Sequence, residues 1–239
     1  MADLGTIDKN IVARYIGMKE SAPDESLFAL MDEAEKMLIK DAEPAHIYKR
    51  FALEKSEKGI CLSGTALTLP GNDIAGLLKD CNEAILLCAT LGSKVDARIR
   101  KLSVSDVAMM LVYDAAASVA VDNICDGLES EIKEKLPDTE LTMRFSPGYG
   151  DLPLELQESF LNVLDTKKRA GVSLTEGGML TPVKTVTAVI GLKRKRKTEG
   201  RLADNMVLPG EKRGCGRYGT CKECKRKESC LMAVTEDRE

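Results

Sequence analysis

Residues 84 to 89 read Ala-Ile-Leu-Leu-Cys-Ala, a continuous apolar run followed by a turn at Gly92. An apolar run of this length, bounded by turn residues, is typical of a strand buried inside a sheet. We therefore predict that residues 84–89 form the central strand of the fold, and we assign the other segments outward from it.

Two helices are predicted before this strand. Apolar residues from Leu27 to Leu38 recur at helical spacing, which indicates a surface helix that packs one face inward. A shorter helix is predicted from Asn72, acting as its N-cap, to Leu78.

Helix and strand patterns mix after the central strand. A long helix is predicted from Ser105 to about Leu136, and another from Leu154 to Leu164. Strands are predicted at residues 141–145 and at residues 183–192, where Thr and Val are frequent. Because there is no regular βαβ repeat, the sequence predicts an α+β fold, an antiparallel or mixed sheet with flanking helices.

Three polar residues interrupt the apolar long helix at intervals of four, namely Asp114, Ser118 and Asp122. This spacing places them on one side of the helix. Two interpretations stay open: a solvent-exposed side of the helix, or a polar row beside a ligand.

The composition is that of an ordinary soluble protein, with 239 residues, 44% of them hydrophobic and 31% charged. The first ten residues lack a basic start followed by an apolar run, and no stretch comes near the roughly 20 apolar residues of a membrane span. The sequence therefore predicts a cytoplasmic protein without a membrane segment.

The net charge of −3 conceals a division of the chain. Residues 1–192 hold 21 Lys or Arg and 30 Asp or Glu, whereas residues 193–230 hold 13 and 5. The basic run from Lys193 to Lys197 also marks the end of the regular apolar periodicity. We therefore predict one domain at 1–192 and a basic, Cys-rich tail at 193–239.

A loop of unusual composition, Arg-Phe-Ser-Pro-Gly-Tyr-Gly-Asp-Leu-Pro, occupies residues 144–153 between a predicted strand and a predicted helix. Its glycines permit backbone conformations closed to other residues and let a ligand approach the main chain. The guanidinium of Arg144 suits a carboxylate, and the ring of Tyr149 offers a flat face with a hydroxyl. The loop thus suits an amino-acid-like or nucleoside ligand; the alternative is a structural turn whose Arg pairs with a nearby acid.

The same loop resembles the Arg-x-x-x-Gly-Tyr S-adenosylmethionine motif in the activation domain of cobalamin-dependent methionine synthase. Four further segments are similar, in the same order, to the short free-standing members of that family: residues 69–76, residues 89–92, the Ala-rich helix after them, and residues 171–182, which contain Leu-Thr-Glu. The resemblance covers roughly residues 8–192 and implies the fold of that domain.

This resemblance implies that the chain binds S-adenosylmethionine and presents it to cob(II)alamin, which is reduced by one electron and methylated. Arg144 would bind the methionyl carboxylate, and Tyr149 would line the pocket. The backbone around Ser146 and Gly148 would hold the adenine end, while Glu176 would receive the ligand's ammonium or favour its sulfonium. After Gly-Tyr the chain reads Gly-Asp-Leu where large members have Pro-Ala-Cys, so the carry-over within this loop ends at Tyr149.

The chain lacks the Asp-x-His-x-x-Gly motif that a corrinoid-binding module would need, since its single histidine is His46 in Glu-Pro-Ala-His-Ile-Tyr. We predict a structural or surface role for His46. The resemblance therefore implies action in trans, on cobalamin carried by a separate corrinoid-carrying methionine synthase. A related corrinoid methyltransferase is the alternative partner.

Four cysteines of the tail have the spacing C-x5-C-x2-C-x5-C among glycines, which is typical of a metal site. Zinc and an iron-sulfur cluster both suit four thiolates surrounded by basic residues. A cluster would deliver the electron that the implied reaction needs, whereas zinc would be structural and leave that role to a separate electron donor. The predicted metal ligands are Cys215, Cys221, Cys224 and Cys230.

The remaining cysteines, Cys61, Cys81, Cys88 and Cys125, lie in apolar segments, where we expect them to be buried. A basic run beside a four-cysteine motif is also typical of a nucleic-acid-binding module. This alternative is disfavoured because only Tyr218 lies near the motif for stacking and the acidic body would repel phosphate.

Overall fold

The computed structural model describes residues 4–18 and 23–195, which form an α+β fold around a six-stranded antiparallel sheet. The predicted fold class is thereby confirmed. The strands are β1 (Ala45–Ser56), β2 (Gly59–Leu62), β3 (Thr68–Leu69), β4 (Glu83–Thr90), β5 (Thr139–Leu141), β6 (Ser173–Leu174), β7 (Leu180–Thr181) and β8 (Thr185–Arg194). The helices are α1 (Lys9–Tyr15), α2 (Glu25–Asp41), α3 (Asn72–Leu77), α4 (Ser93–Ser105), α5 (Val107–Lys135), α6 (Leu156–Leu164) and α7 (Thr166–Arg169).

Strand β4 lies at the centre of the fold, as the apolar run at residues 84–89 predicts. The strand order is β3-β2-β1-β4-β8-β5, with β6 and β7 forming a separate hairpin. Since successive side chains of a strand point to opposite faces, β4 contributes to two cores. Ile85 and Leu87 pack in the core on one face, while Leu86 and Cys88 pack in the core on the other.

Helices α1, α2, α4 and α5 cover the first of these faces. Helix α5 crosses it and supplies thirteen buried residues. By length and composition α5 is also apolar enough to cross a membrane, which differs from our sequence expectation. More than half of its most apolar window is buried inside the protein, so its apolar character is that of a core helix.

The second face carries a thinner layer made of α3, α6, α7 and the β6–β7 hairpin. Its core includes the fully buried Phe160 and Leu164 of α6, together with Phe145 and Leu152 from the loop after β5. The loop singled out in the sequence is therefore packed into this core at two points.

Most of the predicted helices and strands are confirmed to within a few residues, but the short strand predicted at residues 141–145 differs. Regular pairing of β5 with β8 ends at Leu141, and Phe145 returns to the sheet as an isolated antiparallel bridge to Val189. The sequence analysis did not predict β1, because its residues are mostly half-buried and lack a continuous apolar run.

The predicted N-cap of α3 is wrong. Asn72 is the first residue of the helix rather than its cap, and the capping position is occupied by Gly71, which has no side chain to offer. The acceptor for the first amide groups comes instead from a residue far away in the sequence, described below.

Three of the four cysteines in apolar segments are confirmed as buried, namely Cys81, Cys88 and Cys125, while Cys61 is half-buried. His46 lies on β1 with its side chain exposed, in agreement with a surface role.

Strand β8 continues to Arg194, two residues beyond the predicted domain edge at 192. The backbone N–H of Lys195 still donates to the carbonyl of Asp138, at 2.9 Å. The domain edge stays a prediction, because the tail and its four cysteines lie outside the described residues.

Candidate functional site

The loop from Arg144 to Leu152 connects the edge of the sheet to α6. Phe145 and Val189 exchange two backbone hydrogen bonds, of 2.9 and 2.8 Å, which attach the start of the loop to β8. Three backbone hydrogen bonds of 2.9 to 3.0 Å then close the turn over residues 146–152. The loop is therefore held by its own main chain as well as by the core.

Two glycines give this loop a backbone that other residues adopt rarely. Gly148 and Gly150 have φ angles of +87° and +52°. A Cβ atom at Gly150 would also collide with the carboxylate of Asp73. Gly150 is thus required both for its conformation and for the close approach of the loop to α3.

Asp151 supplies the missing cap of α3. Its carboxylate accepts hydrogen bonds from the backbone N–H groups of Asn72, at 2.6 Å, and Asp73, at 3.1 Å. The contact joins two segments, residues 69–76 and 144–153, which the resemblance had singled out separately. Local sequence patterns do not reveal it, because the partners lie almost eighty positions apart.

Arg144 approaches α5, whereas its neighbour Phe145 packs in the core on the opposite face of the sheet. The Nη1 atom lies 2.8 Å from Oδ1 of Asp126 and 3.1 Å from Oε1 of Glu129. Neither contact has hydrogen-bond geometry, so this buried nitrogen has no hydrogen-bond acceptor among the described residues. The acid pairing foreseen as the alternative to ligand binding is present, but it leaves the hydrogen-bonding capacity of Arg144 incomplete.

The charged side chains at Arg144 differ in exposure, and burial shifts the pKa of two neighbouring groups. The side chains of Arg144 and Glu129 are 19% and 18% exposed, whereas that of Asp126 is 67% exposed. Burial raises the pKa of Glu129, and the charge of Arg144 opposes this shift. Burial also raises the pKa of the adjacent Cys125 thiol to about 12, so Cys125 is neutral at physiological pH.

Tyr149 lies in the same loop as Arg144 but packs toward the second core. Its ring meets that of Phe145 edge to face, with centroids 6.1 Å apart and planes at 74°. Ser146 is half-buried and Gly148 is exposed, so the turn presents its main chain to solvent beside the ring. Ser146, Gly148 and Tyr149 thus lie in one turn, whereas the side chain of Arg144 lies on the α5 side of the sheet.

Glu176 belongs to a different surface. It lies in the turn of the β6–β7 hairpin and lines an open cavity of about 500 Å³ between this hairpin and the α6–α7 segment. The apolar part of the lining comes from Leu161, Val172 and Leu174. Among the described residues, the lining includes none of residues 144–149.

The polar row of α5 is partly exposed, with the Asp114 side chain 44% exposed, and its residues contact neighbouring elements; the row beside a ligand stays a prediction. Lys184 places its Nζ 2.9 Å from Oδ1 of Asp114 and 2.8 Å from Oγ of Ser118. Asp122 accepts a hydrogen bond of 3.3 Å from the hydroxyl of Tyr15. These residues therefore tie α5 to the start of β8 and to α1.

A metal site is not found within residues 4–18 and 23–195, where no three His, Cys, Asp or Glu side chains are grouped suitably. The predicted ligands Cys215, Cys221, Cys224 and Cys230 lie outside these described residues.

These observations define the class of protein: an α+β domain with an antiparallel sheet and an Arg-containing loop at the sheet edge. No protein-family model and no curated protein matches the chain. Among solved structures, the chain is similar to the reactivation domain of MetH in a crystal structure with bound AdoHcy (S-adenosylhomocysteine). The TM-score is 0.56 at 14% identity, over 75% of this chain and 69% of that chain. At this identity the likeness shows a shared fold.

Proposed function

We propose that this protein binds S-adenosylmethionine at the Arg144–Tyr149 turn and supports the reductive methylation of cob(II)alamin on a separate cobalamin-dependent methionine synthase. The observation that carries the proposal is the shared fold with a MetH reactivation domain that holds AdoHcy. In that reaction the cobalamin of the partner accepts one electron and the methyl group of S-adenosylmethionine, which returns an oxidised cofactor to use.

The residues of the turn fit the amino-acid end of such a ligand. A guanidinium carries five N–H donors in a planar fork that suits a carboxylate, and Nη1 of Arg144 lacks a hydrogen-bond acceptor among the described residues. The exposed main chain at Gly148 and the half-buried ring of Tyr149 offer a peptide edge and an apolar face to the adenosyl end. Glu176 remains the sequence-based prediction for the ammonium or sulfonium.

Calorimetric titration with S-adenosylmethionine and S-adenosylhomocysteine tests the proposal. We expect Arg144→Ala to weaken binding by about 1.5 to 3 kcal/mol, the range for a charged hydrogen bond. Arg50→Ala is the matched control, because Arg50 forms an exposed ion pair with Glu83 on the sheet, away from the loop. Equal affinity in the wild type and Arg144→Ala would remove Arg144 from the site, and absence of binding in the wild type would overturn the proposal.

The tail belongs to the same proposal as a second functional unit, divided from the domain near residue 192. We propose that its four cysteines hold an iron-sulfur cluster or zinc. Metal analysis of anaerobically purified protein, with an absorption spectrum of the same sample, distinguishes the two. Iron with a broad visible band supports electron delivery by the tail, whereas zinc assigns that delivery to a separate donor.

The last part of the proposal is the identity of the partner protein. Under the proposal it is a corrinoid-carrying methionine synthase in the cytoplasm; a different corrinoid methyltransferase is the alternative. A functional test distinguishes the two. A purified candidate partner with oxidised cobalamin should regain activity only when this protein, S-adenosylmethionine and a reductant are all added.

A further inference from the structure

An exposed apolar surface lies where α4 ends and α5 begins. Val104 is 90% exposed, Val107 56% and Leu111 53%. Val107 and Leu111 are four positions apart, so they lie on one side of α5, and Val104 lies just before the junction between the helices. Single exposed aliphatic residues are ordinary, but three of them close together indicate a surface that binds another molecule.

The charge of α4 differs from that of the rest of the domain. The helix holds four basic residues and one acidic residue, whereas residues 1–192 together hold 21 basic and 30 acidic ones. Two of the four basic residues bind acids at the end of α2 and just after it. The other two, Arg100 and Lys101, are exposed and have no ion-pair partner among the residues that the structure describes.

These two cations adjoin the apolar residues. Arg100 is four positions before Val104, so both lie on one side of α4. Asp106, the acid between the two helices, is already engaged as the cap of α5, where it accepts a hydrogen bond of 3.0 Å from the N–H of Met109. We call Arg100, Lys101 and the three exposed aliphatic residues the α4–α5 patch.

The charges of the α4–α5 patch select the kind of molecule that fits it. A second copy docked through the same patch would bring Arg100 and Lys101 against their own counterparts, and like charges in contact oppose binding. A phosphate-rich surface, such as a nucleic acid, would be repelled by the acidic body of the domain. The complementary surface is therefore that of a protein, acidic and partly apolar.

The α4–α5 patch lies on the same side of α5 as the contact with Arg144. Leu111 and Glu129 are eighteen positions apart, which is about five turns, so their side chains leave the helix in the same direction about 27 Å from each other. A domain of about 100 residues has a radius of gyration of about 13 Å and is wide enough to cover both places. A protein docked on the patch can therefore also reach the Arg144–Tyr149 turn.

We propose that the α4–α5 patch docks the corrinoid-carrying partner through an acidic, partly apolar surface of that protein. This inference rests on the proposed function and deepens it, since it names the surface through which the protein acts in trans. Methyl transfer requires the cobalt of the partner to be held against the bound ligand. The electron has no such requirement, because the tail or a small reductant can supply it.

The test is reactivation of a purified cobalamin-dependent methionine synthase in its oxidised state, with saturating S-adenosylmethionine and titanium(III) citrate as the reductant. The measured quantity is the concentration of this protein that gives half-maximal reactivation. Arg100→Glu/Lys101→Glu should raise this concentration about tenfold or more and leave the maximal rate unchanged, because docking is impaired and the reaction is not. Val104→Asp should raise it as well, and its high exposure makes the substitution harmless to folding.

Two controls accompany these variants. Lys58→Glu reverses another exposed charge, in the β1–β2 turn, and should behave as the wild type does. Calorimetric titration with S-adenosylhomocysteine should give the wild-type affinity for every variant, because the patch lies away from the ligand turn. Raising the salt concentration from about 0.05 to about 0.5 M should weaken docking of the wild type more than that of Arg100→Glu/Lys101→Glu.

The outcomes separate this inference from the proposed function. If the wild type and Arg100→Glu/Lys101→Glu reactivate the synthase at equal concentrations, the inference is wrong while the proposed function stands. The inference is also wrong if the variant is impaired only when a protein replaces titanium(III) citrate as the electron donor, or if it loses affinity for S-adenosylhomocysteine. If the wild type reactivates neither a methionine synthase nor another corrinoid methyltransferase, the proposed action in trans and the inference fall together.

Discussion

Two arginines of this protein contact acids of the helical layer, and they do so in contrasting ways. Arg98 forms two hydrogen bonds with Asp41, from Nε at 2.7 Å and from Nη2 at 3.0 Å, and the hydroxyl of Tyr113 adds a third at 3.1 Å. Arg144 touches Asp126 and Glu129 through one nitrogen, with no hydrogen-bond geometry. The contact at Arg98 thus has full hydrogen-bond geometry, whereas the contact at Arg144 does not.

This difference separates a structural ion pair from a candidate binding group. Asp41 ends α2, and its contact with Arg98 of α4 and Tyr113 of α5 joins three helices over the sheet. Both oxygens of its carboxylate are used, so nothing remains for a ligand. At Arg144, Nη1 has no hydrogen-bond acceptor among the described residues and the glycine-containing turn follows directly, so its role in ligand binding stays a prediction.

The largest expected effect is on stability and concerns the ion pair between Arg98 and Asp41. Asp41→Asn should lower the free energy of unfolding by about 3 kcal/mol, because Arg98 and the buried Tyr113 hydroxyl lose their charged acceptor. Asp126→Asn is the matched substitution at the other arginine, and it should change this free energy by less than about 0.5 kcal/mol, since Asp126 is exposed. Urea unfolding followed by circular dichroism measures both, and similar losses in the two variants would contradict the comparison.

A smaller effect is expected from the contact that holds the turn beside Arg144. Asp151→Ala should cost about 1 kcal/mol of unfolding free energy, because α3 loses its N-terminal acceptor. Asp151→Asn keeps an acceptor oxygen and should restore most of this loss. We also expect Asp151→Ala to weaken S-adenosylhomocysteine binding, and unchanged binding would show that the turn keeps its shape without α3.

The smallest effect is a difference in pH dependence between the two sites. Hydrogen bonds from Arg98 and Tyr113 lower the pKa of Asp41 below its ordinary 3.8. The stability gained from Asp41 is therefore complete above pH 3.8 and is lost as the pH falls through the lowered value. The advantage of the wild type over Asp41→Asn should shrink in acid.

The contribution of Glu129 to stability should depend on pH with the opposite sign. Burial raises its pKa above the ordinary 4.5, so its cost to stability is absent below pH 4.5 and grows as the pH rises through the raised value. Relative to the wild type, Glu129→Gln should become more stable as the pH rises from about 4 to 7. Unfolding measured across this range checks both signs, and parallel curves for the wild type and Glu129→Gln would show that Glu129 is not perturbed.

The sequence predicted those parts of the fold that depend on local pattern. The apolar run at residues 84–89 identified the central strand, and helical spacing identified α2, α5 and α6, because burial on one or both faces imposes these periodicities directly. Strand β1 was missed because a half-buried strand has a weaker pattern. The α+β class followed from the mixture of elements, whereas the strand order depends on contacts between distant segments.

For the candidate site, the sequence identified the loop but not its surroundings. Residue types and glycines pointed to the turn at residues 144–149. Its partners Asp126, Glu129 and the α3 turn come from elements that only the tertiary fold brings near. Asp151 had seemed a departure from the family pattern, and the structure gives it a specific role as the acceptor for α3.

The position of β8 governs the order in which this protein can assemble. β8 is the last strand of the described chain, yet it lies between β4 and β5 in the sheet. β4 can therefore pair with β8, its second partner, only after roughly a hundred further residues have been made. Pairing across such sequence separations slows folding. Until then one edge of the most apolar strand is unpaired, and an unpaired strand edge favours association with other chains.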